Sequence, residues 1–279
     1  MDRLRPLLDA ARLDRAMLAP CAVFAGSSYA RYDAQPGPGF PAHVVVSVAA
    51  LLAAIGVNFV DEAWDLAGAP PGDGLDAREA AICGGVALTA AILVVAILTP
   101  LSGAAAVGFG LLAVLLGVAR GVPVAGLDTL GHGLGDLANA VALGPLAVTA
   151  GFASQCGHGS SGAALVGVPV GIIAASALYT RHFTRREADL RLERLTPVTI
   201  YGEDRARLGL VLLPLLGVLA IAAVVALEEA PAGIYAAAAP LVILAGLSRR
   251  GAVPPERSIC IVAATAILVL AGALRLAVR

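Results

Sequence analysis

The chain has 279 residues, 59% of them hydrophobic and only 14% charged, with a mean hydropathy of +0.87. Those values lie far outside the range of soluble globular domains and exclude a water-soluble enzyme. The formal net charge of −1 is by itself silent about partners, and no nucleic-acid partner is expected.

Apolar runs long enough to cross a hydrocarbon core of about 30 Å recur along the whole sequence. They predict an all-α integral membrane protein of one domain, 1–279, whose nine transmembrane helices lie at 16–33, 42–60, 79–98, 102–119, 135–153, 163–180, 208–227, 231–248 and 257–277 around a central cavity. The first span is short and carries Ser27 and Ser28. Residues 1–30 imitate a secretory leader, but its basic region would contain three aspartates, Asp2, Asp9 and Asp14, so a retained first span is expected.

All 19 basic residues are arginine, and 16 of them fall before the first span or in alternate connections. By the positive-inside rule these segments are cytoplasmic, which leaves Arg31, Arg275 and Arg279 outside. The expected setting is the cell's inner (cytoplasmic) membrane, crossed many times, with the N-terminus and the working face on the cytoplasmic side. Cys21, Cys83, Cys156 and Cys260 show no paired spacing, and the four histidines are scattered, so neither a disulfide framework nor a zinc site is indicated.

At the cytoplasmic end of the second span, "GVNFVDEAWDLAG" places Asn58, Asp61, Glu62 and Asp65 at i, i+3, i+4 and i+7. On a helix these four share one face over two turns. Ionised carboxylates in a membrane segment need compensation. Carboxylates and an amide are hard oxygen ligands of the kind magnesium uses when it shares its shell with water and phosphate. A helix end dissolving into a solvated acidic loop has the same spacing. Downstream, the sixth span ends in interleaved charges, Arg181, Arg185, Arg186, Glu187, Asp189, Arg191, Glu193 and Arg194. The two clusters end spans four helices apart, as in a faint duplication of a four-helix unit, and would face one cavity. Aspartates opposite arginines suit a magnesium-bridged diphosphate, so the expected substrate is anionic at its head and apolar at its tail.

These residues resemble the UbiA superfamily of intramembrane prenyltransferases over nearly the whole chain. The most similar branch prenylates 1,4-dihydroxy-2-naphthoate in menaquinone (quinone) biosynthesis, where the first motif reads approximately N-x-x-N-D-x-x-D. Here it is "NFVDEAWD", with Asp61 in place of an asparagine and Glu62 in place of an aspartate. "GHGLGDLANAVALGPLAVTAG" resembles the branch's G-L-G-E segment and G-P-L helix, with Asp136 at the glutamate. The second motif departs further. Asp189 matches, but Arg185 stands at the first aspartate, Arg181 and His182 at the asparagines, and Arg194 at the usual lysine.

The resemblance implies a UbiA-like fold and Mg2+-dependent transfer of a prenyl group from a polyprenyl diphosphate to an aromatic acceptor, within the lipid bilayer. It implies a metal set drawn from Asn58, Asp61, Glu62, Asp65 and Asp189, with phosphate contacts from Arg78, Arg120, Arg185 and Arg194. Asp65 and Asp189 are the expected catalytic aspartates, and Asp136 is a candidate for the base that removes the ring proton. Arg185 could instead pair with Asp189 at i+4, and Asp189 with Glu193 could form a shifted motif. Phe59, Trp64, Phe152 and Tyr179 could shelter an allylic cation, and Gly144 with Pro145 could kink helix five. A transporter fits poorly, because its ion pathway would run at the midplane. A UbiA-like protein that binds an isoprenoid or quinone without transferring it stays open.

Overall fold

Glycines let the helices of this protein touch backbone to backbone. In the computed structural model, which describes residues 4–33, 40–67, 74–122, 126–131, 133–248 and 255–277, every regular element is helical. A chain this apolar has no other local solution, because within lipid each backbone N–H and C=O must be satisfied inside its own segment.

The N-terminal helices are α1 (Leu4–Ala11), α2 (Leu13–Ala16) and α3 (Leu18–Tyr32). Two long helices follow, α4 (Phe40–Leu66) and α5 (Ala77–Gly121). Then come the short α6 (Leu127–Leu130) and the pair α7 (Leu134–Val141) and α8 (Ala147–Cys156), joined by a π-helical turn, Ala142–Leu146. The remainder comprises α9 (Ser161–Leu178), α10 (Arg181–Thr184), α11 (Arg186–Arg191), α12 (Pro197–Tyr201), α13 (Glu203–Ala206), α14 (Gly209–Ala226), a 3-10 segment Ala232–Ala237 running into α15 (Ala238–Ser248), and α16 (Glu256–Leu276).

Helix α5 begins with a capping box between Asp76 and Glu79 and contains two of the predicted spans. Gly103, at φ 76° and ψ 150°, breaks it three residues after Pro100 into the segments Ala77–Ile97 and Gly103–Gly121. A positive φ with extended ψ is a glycine conformation, which explains the residue at the break. The kink expected at Gly144 and Pro145 takes the form of the π-helical turn, where Pro145 lacks the N–H that a regular turn would use.

Seven helical segments among the described residues are long and apolar enough to cross a membrane. The expectation of nine exceeds this at two places. Helix α3 has only 15 residues, and Ala232–Gly246 is likewise an apolar helix of less than spanning length. Protein rather than lipid surrounds most of α3. Leu18, Ala22, Ala25 and Tyr29 are buried in the main core with Phe152, Ile173, Ile267 and Leu270 from α8, α9 and α16.

Small residues make this packing possible. A Cβ on Gly26 of α3 would overlap the Val148 carbonyl oxygen of α8, and one on Gly151 of α8 would overlap the Val23 carbonyl oxygen of α3. Gly144, Gly167 and Gly171 bring the π turn onto α9 in the same way. Gly26→Val should therefore destabilise the protein by about 1–3 kcal/mol, read as a lowered melting temperature in detergent. Gly272→Ala, whose added Cβ meets nothing within 4 Å, should leave melting unchanged or slightly raised.

Candidate active site

Asn58, Asp61, Glu62 and Asp65 do share one face, because α4 runs unbroken to Leu66. The second charged cluster has a different form. Helix α9 stops at Leu178, and Arg185, at φ −110° and ψ 13°, separates α10 from α11. Its arginines therefore leave along separate short turns instead of one helical face, and three of them, Arg181, Arg185 and Arg194, reach across the bundle to α4.

Arg181 donates Nη1 to Asp61 Oδ2 at 3.1 Å, and Arg120, from the end of α5, donates to the same oxygen. Arg120 also reaches Asp128 at 3.2 Å. Arg185 clasps Glu62 at 2.6 Å and also bonds Asp65. Arg194 donates Nη1 to Asp65 at 2.6 Å and to Asp189 at 3.4 Å, and Nη2 to the Gly121 carbonyl at 3.4 Å. Arg12 meets Glu62 at 3.1 Å, and Arg15 meets Glu256 at the start of α16. Six arginines thus match six carboxylates. Removing one partner would strand a charge in a low-dielectric interior. Burial, reinforced by Arg12 and Arg181, pulls the Arg15 guanidinium well below the usual arginine range.

Beside this network lies a cavity of about 330 Å³. It follows α4 from Val46 to Asp61, a rise of about 22 Å, and is walled by α3, α5, α7, the π turn, α8 and the end of α9 as well. The wall is aliphatic along most of its length. Apart from Thr99, its polar residues are Arg15, Asn58, Asp61, Arg120, Asn139 and Arg181, which gather where α4 and α5 carry Asp61 and Arg120. Ile92 and Leu111, from the two halves of α5, line the cavity and are also exposed on the bundle's surface.

Of the residues singled out in the sequence, Asn58, Asp61 and Arg120 line the cavity. Glu62, Asp65, Asp189, Arg185 and Arg194 form the ion-pair layer behind it. Arg185 pairs with Glu62 and Asp65 rather than with Asp189. Glu193, at φ 52°, is exposed and takes no part in the network. Arg78 is exposed on the first turn of α5, outside the cavity lining. Asp136 accepts from His182 Nε2 at 2.9 Å and lines a small separate cavity with Asp128 and Thr196.

None of the four aromatic candidates reaches the main cavity, and no aromatic side chain lines it among the described residues. Phe59 packs on Ala10 and Ala11, Phe152 on Tyr29, and Tyr179 donates its hydroxyl to the Ala206 carbonyl at 3.0 Å. Sequence reasoning assigned no role to Arg12, Arg15 or Asn139, and none to Arg181 beyond its position in the motif. The available signal was that an arginine closing an apolar run must find an acidic partner.

Among the described residues no group of three or more His, Cys, Asp or Glu side chains is placed to hold a metal ion alone. The donor chemistry fits magnesium that arrives with a phosphate ligand and needs only one or two protein oxygens. Asp61 Oδ1 is such an oxygen, buried at the cavity wall and without a hydrogen-bond partner among the described residues.

No family model matches the sequence, and no curated protein matches it. Solved structures do. The chain is similar to a UbiA homologue from Archaeoglobus fulgidus bound to GPP and Mg2+, with a TM-score of 0.68 and 16% identity over 99% of each chain. A UbiA homologue from Archaeoglobus fulgidus bound to DMAPP and Mg2+ gives 0.66 and 16%, again over 99% of each chain. A digeranylgeranylglyceryl phosphate synthase gives 0.57 and 11%, over 99% of this chain and 98% of that one. The fold is that of UbiA homologues.

Arg194→Ala, which leaves Asp189 only the more distant His182 at 4.0 Å and takes one partner from Asp65, should cost about 3–5 kcal/mol of stability. Adding Asp189→Asn should restore part of that loss. Melting of the single and double variants in detergent checks the coupling, and strictly additive losses would show that the pair contributes nothing as a pair.

Proposed function

We propose that this protein is an intramembrane prenyltransferase that moves an isoprenoid group from its diphosphate to a second lipid-soluble substrate, with magnesium as cofactor. The observation that carries this reading is the polarity of the cavity. A long aliphatic wall ends in a compact group of charges, in a chain whose fold is that of homologues bound to GPP or DMAPP with Mg2+. An apolar tail with an anionic head is the ligand such a chamber matches. Ile92 and Leu111 mark the side through which it would enter from lipid.

The acceptor in this reading is aromatic, 1,4-dihydroxy-2-naphthoate or a related quinone precursor. It is supported by the likeness of "NFVDEAWD" and of the segment from Gly131 to Gly151 to the naphthoate branch. The arginine distribution supports placing the site and the N-terminus on the cytoplasmic side of the inner membrane. In the same reading α3 and Ala232–Gly246 complete nine crossings within a single domain; protein covers α3, whereas Ala232–Gly246 keeps an exposed face at Tyr235, Val242 and Ile243.

Magnesium bound with the diphosphate would lower the charge on the leaving group. Asn58 and Asp61 are the residues that would hold it. Arg120 and Arg181 fix the Asp61 carboxylate from behind, and Glu62, Asp65, Arg185, Asp189 and Arg194 hold the end of α4 against α10 and α11. The aliphatic wall excludes water from the allylic carbon, which favours transfer over hydrolysis. Because no described residue brings a ring to the wall, the acceptor's own electron-rich face is the π surface nearest the developing positive charge. His182, next to Arg181 in the chain, pairs with Asp136 outside the main cavity, a positioning role.

A second reading, binding without transfer, is favoured by one feature. Arg185 bridges Glu62 and Asp65 at the position where the resembled motif has an aspartate. The test is turnover by purified protein in detergent with Mg2+, prenyl diphosphates and a panel of acceptors, with products identified by mass spectrometry. The expected product is a prenylated naphthoate. Ala53→Phe, which fills the cavity, should reduce its formation by about a hundredfold or more. Arg205→Ala, exposed on α13, should not change it. Tight binding of prenyl diphosphate with no product from any acceptor would establish the second reading, and full activity in Ala53→Phe would remove the cavity from the mechanism.

A further inference from the structure

The charged end of the cavity contains more guanidinium than carboxylate. Of the described side chains that line it, Arg15, Arg120 and Arg181 are cationic and Asp61 is the one anion. The three arginines are only 5–6% exposed. Each keeps a buried nitrogen with no hydrogen-bond partner among the described residues: Nη2 of Arg15, Nε of Arg120 and Nε of Arg181. Buried donors without acceptors are costly, so these guanidinium groups are under-satisfied, and a small turn of their side chains toward a ligand that supplies acceptors would relieve that cost. The planar fork of arginine matches phosphate oxygens, and a phosphate beside it favours its charged form.

Asp61 does not cancel this excess. Its Oδ2 already accepts from both Arg120 and Arg181. The carboxylates that pair with Arg15 and Arg120 on their other sides, Glu256 and Asp128, are not part of the cavity wall. An anion entering the polar end therefore meets three guanidinium groups converging from α2, α5 and α10. No metal has to bring that positive charge.

We propose that the cavity holds the diphosphate of its isoprenoid ligand directly through Arg15, Arg120 and Arg181, so that binding persists without a divalent metal. This rests on the prenyl diphosphate reading and deepens it, separating recognition of the head by arginine from the help magnesium gives to its departure.

The test is isothermal titration of geranyl S-thiolodiphosphate, which does not turn over, into the full-length protein in detergent, once with Mg2+ and once with EDTA. The dissociation constant in EDTA should stay within about tenfold of that in Mg2+. Arg181→Gln and Arg15→Gln should each weaken binding in EDTA by about ten- to a hundredfold. Arg181→Lys should recover only part of the loss, because lysine keeps the charge without the fork. Melting in detergent identifies any variant that fails to fold, and Arg15 and Arg181 lie on different helices, so one variant can stand for the other.

Binding in Mg2+ that disappears in EDTA overturns the proposal and leaves the prenyltransferase reading intact. No binding in either condition removes the prenyl diphosphate reading itself. Phosphatidic acid distinguishes the other source of a lipid-borne phosphate: failure to displace the probe supports the proposal, whereas displacement at lower concentrations than inorganic diphosphate requires would make this a lipid-headgroup site and overturn it.

Discussion

A charge buried in an apolar bundle must be met by an opposite charge within hydrogen-bond reach, and this requirement organises the polar end of the protein. The pairs it creates are remote in sequence. Arg181 lies 120 positions from Asp61, Arg194 lies 129 from Asp65, and Arg15 lies 241 from Glu256. Each pair ties a different helix to the same layer, so that α2, α4, α5, α10, α11 and α16 are held in register at one end. Elsewhere the bundle depends on packing that is individually weak and collectively large.

The packing and the ion pairs have complementary effects on the cavity. Where glycine faces backbone, as at Gly26 against Val148 and Gly151 against Val23, α3 and α8 close completely. Along α4 the corresponding positions are alanines at 49, 50, 53 and 54, which face α5 across open space. A small side chain against glycine or backbone makes contact; a small side chain opposite another small side chain leaves a chamber. The same economy of side-chain volume therefore produces both a tight core and a tail-shaped void.

Arginine at the second charged segment changes what the site can be. Four carboxylates facing one another would repel unless metal ions separated them. Here Arg185 and Arg194 stand between Glu62, Asp65 and Asp189, and Arg12 also meets Glu62, so three arginines balance three carboxylates without a metal. Among the described residues at the cavity wall, Asp61 keeps a buried oxygen without a partner, and Arg15, Arg120 and Arg181 each keep an unpaired nitrogen. Chemistry is thus confined to a small region in front of the ion-pair layer, while the layer itself preserves geometry.

The properties read correctly from the sequence were those set by local spacing and composition. Hydropathy showed a helical membrane protein, the 3.6-residue period placed Asn58, Asp61, Glu62 and Asp65 on one face, and Gly144 with Pro145 marked an irregular turn. Each depends on residues within a few positions of one another, and so survives without knowledge of the fold. The choice of partner does not. That Arg185 takes Glu62 and Asp65 instead of Asp189, that Asp61 faces the cavity while Asp65 stands behind it, and that Phe59, Trp64, Phe152 and Tyr179 all lie away from the cavity wall depend on distances across the bundle. Those distances are decided by how closely glycine and alanine let each pair of helices approach. The extent of α3 belongs with them: the apolar run 16–33 reads as a span, but its helix has only 15 residues, and only its burial among α8, α9 and α16 shows what surrounds it.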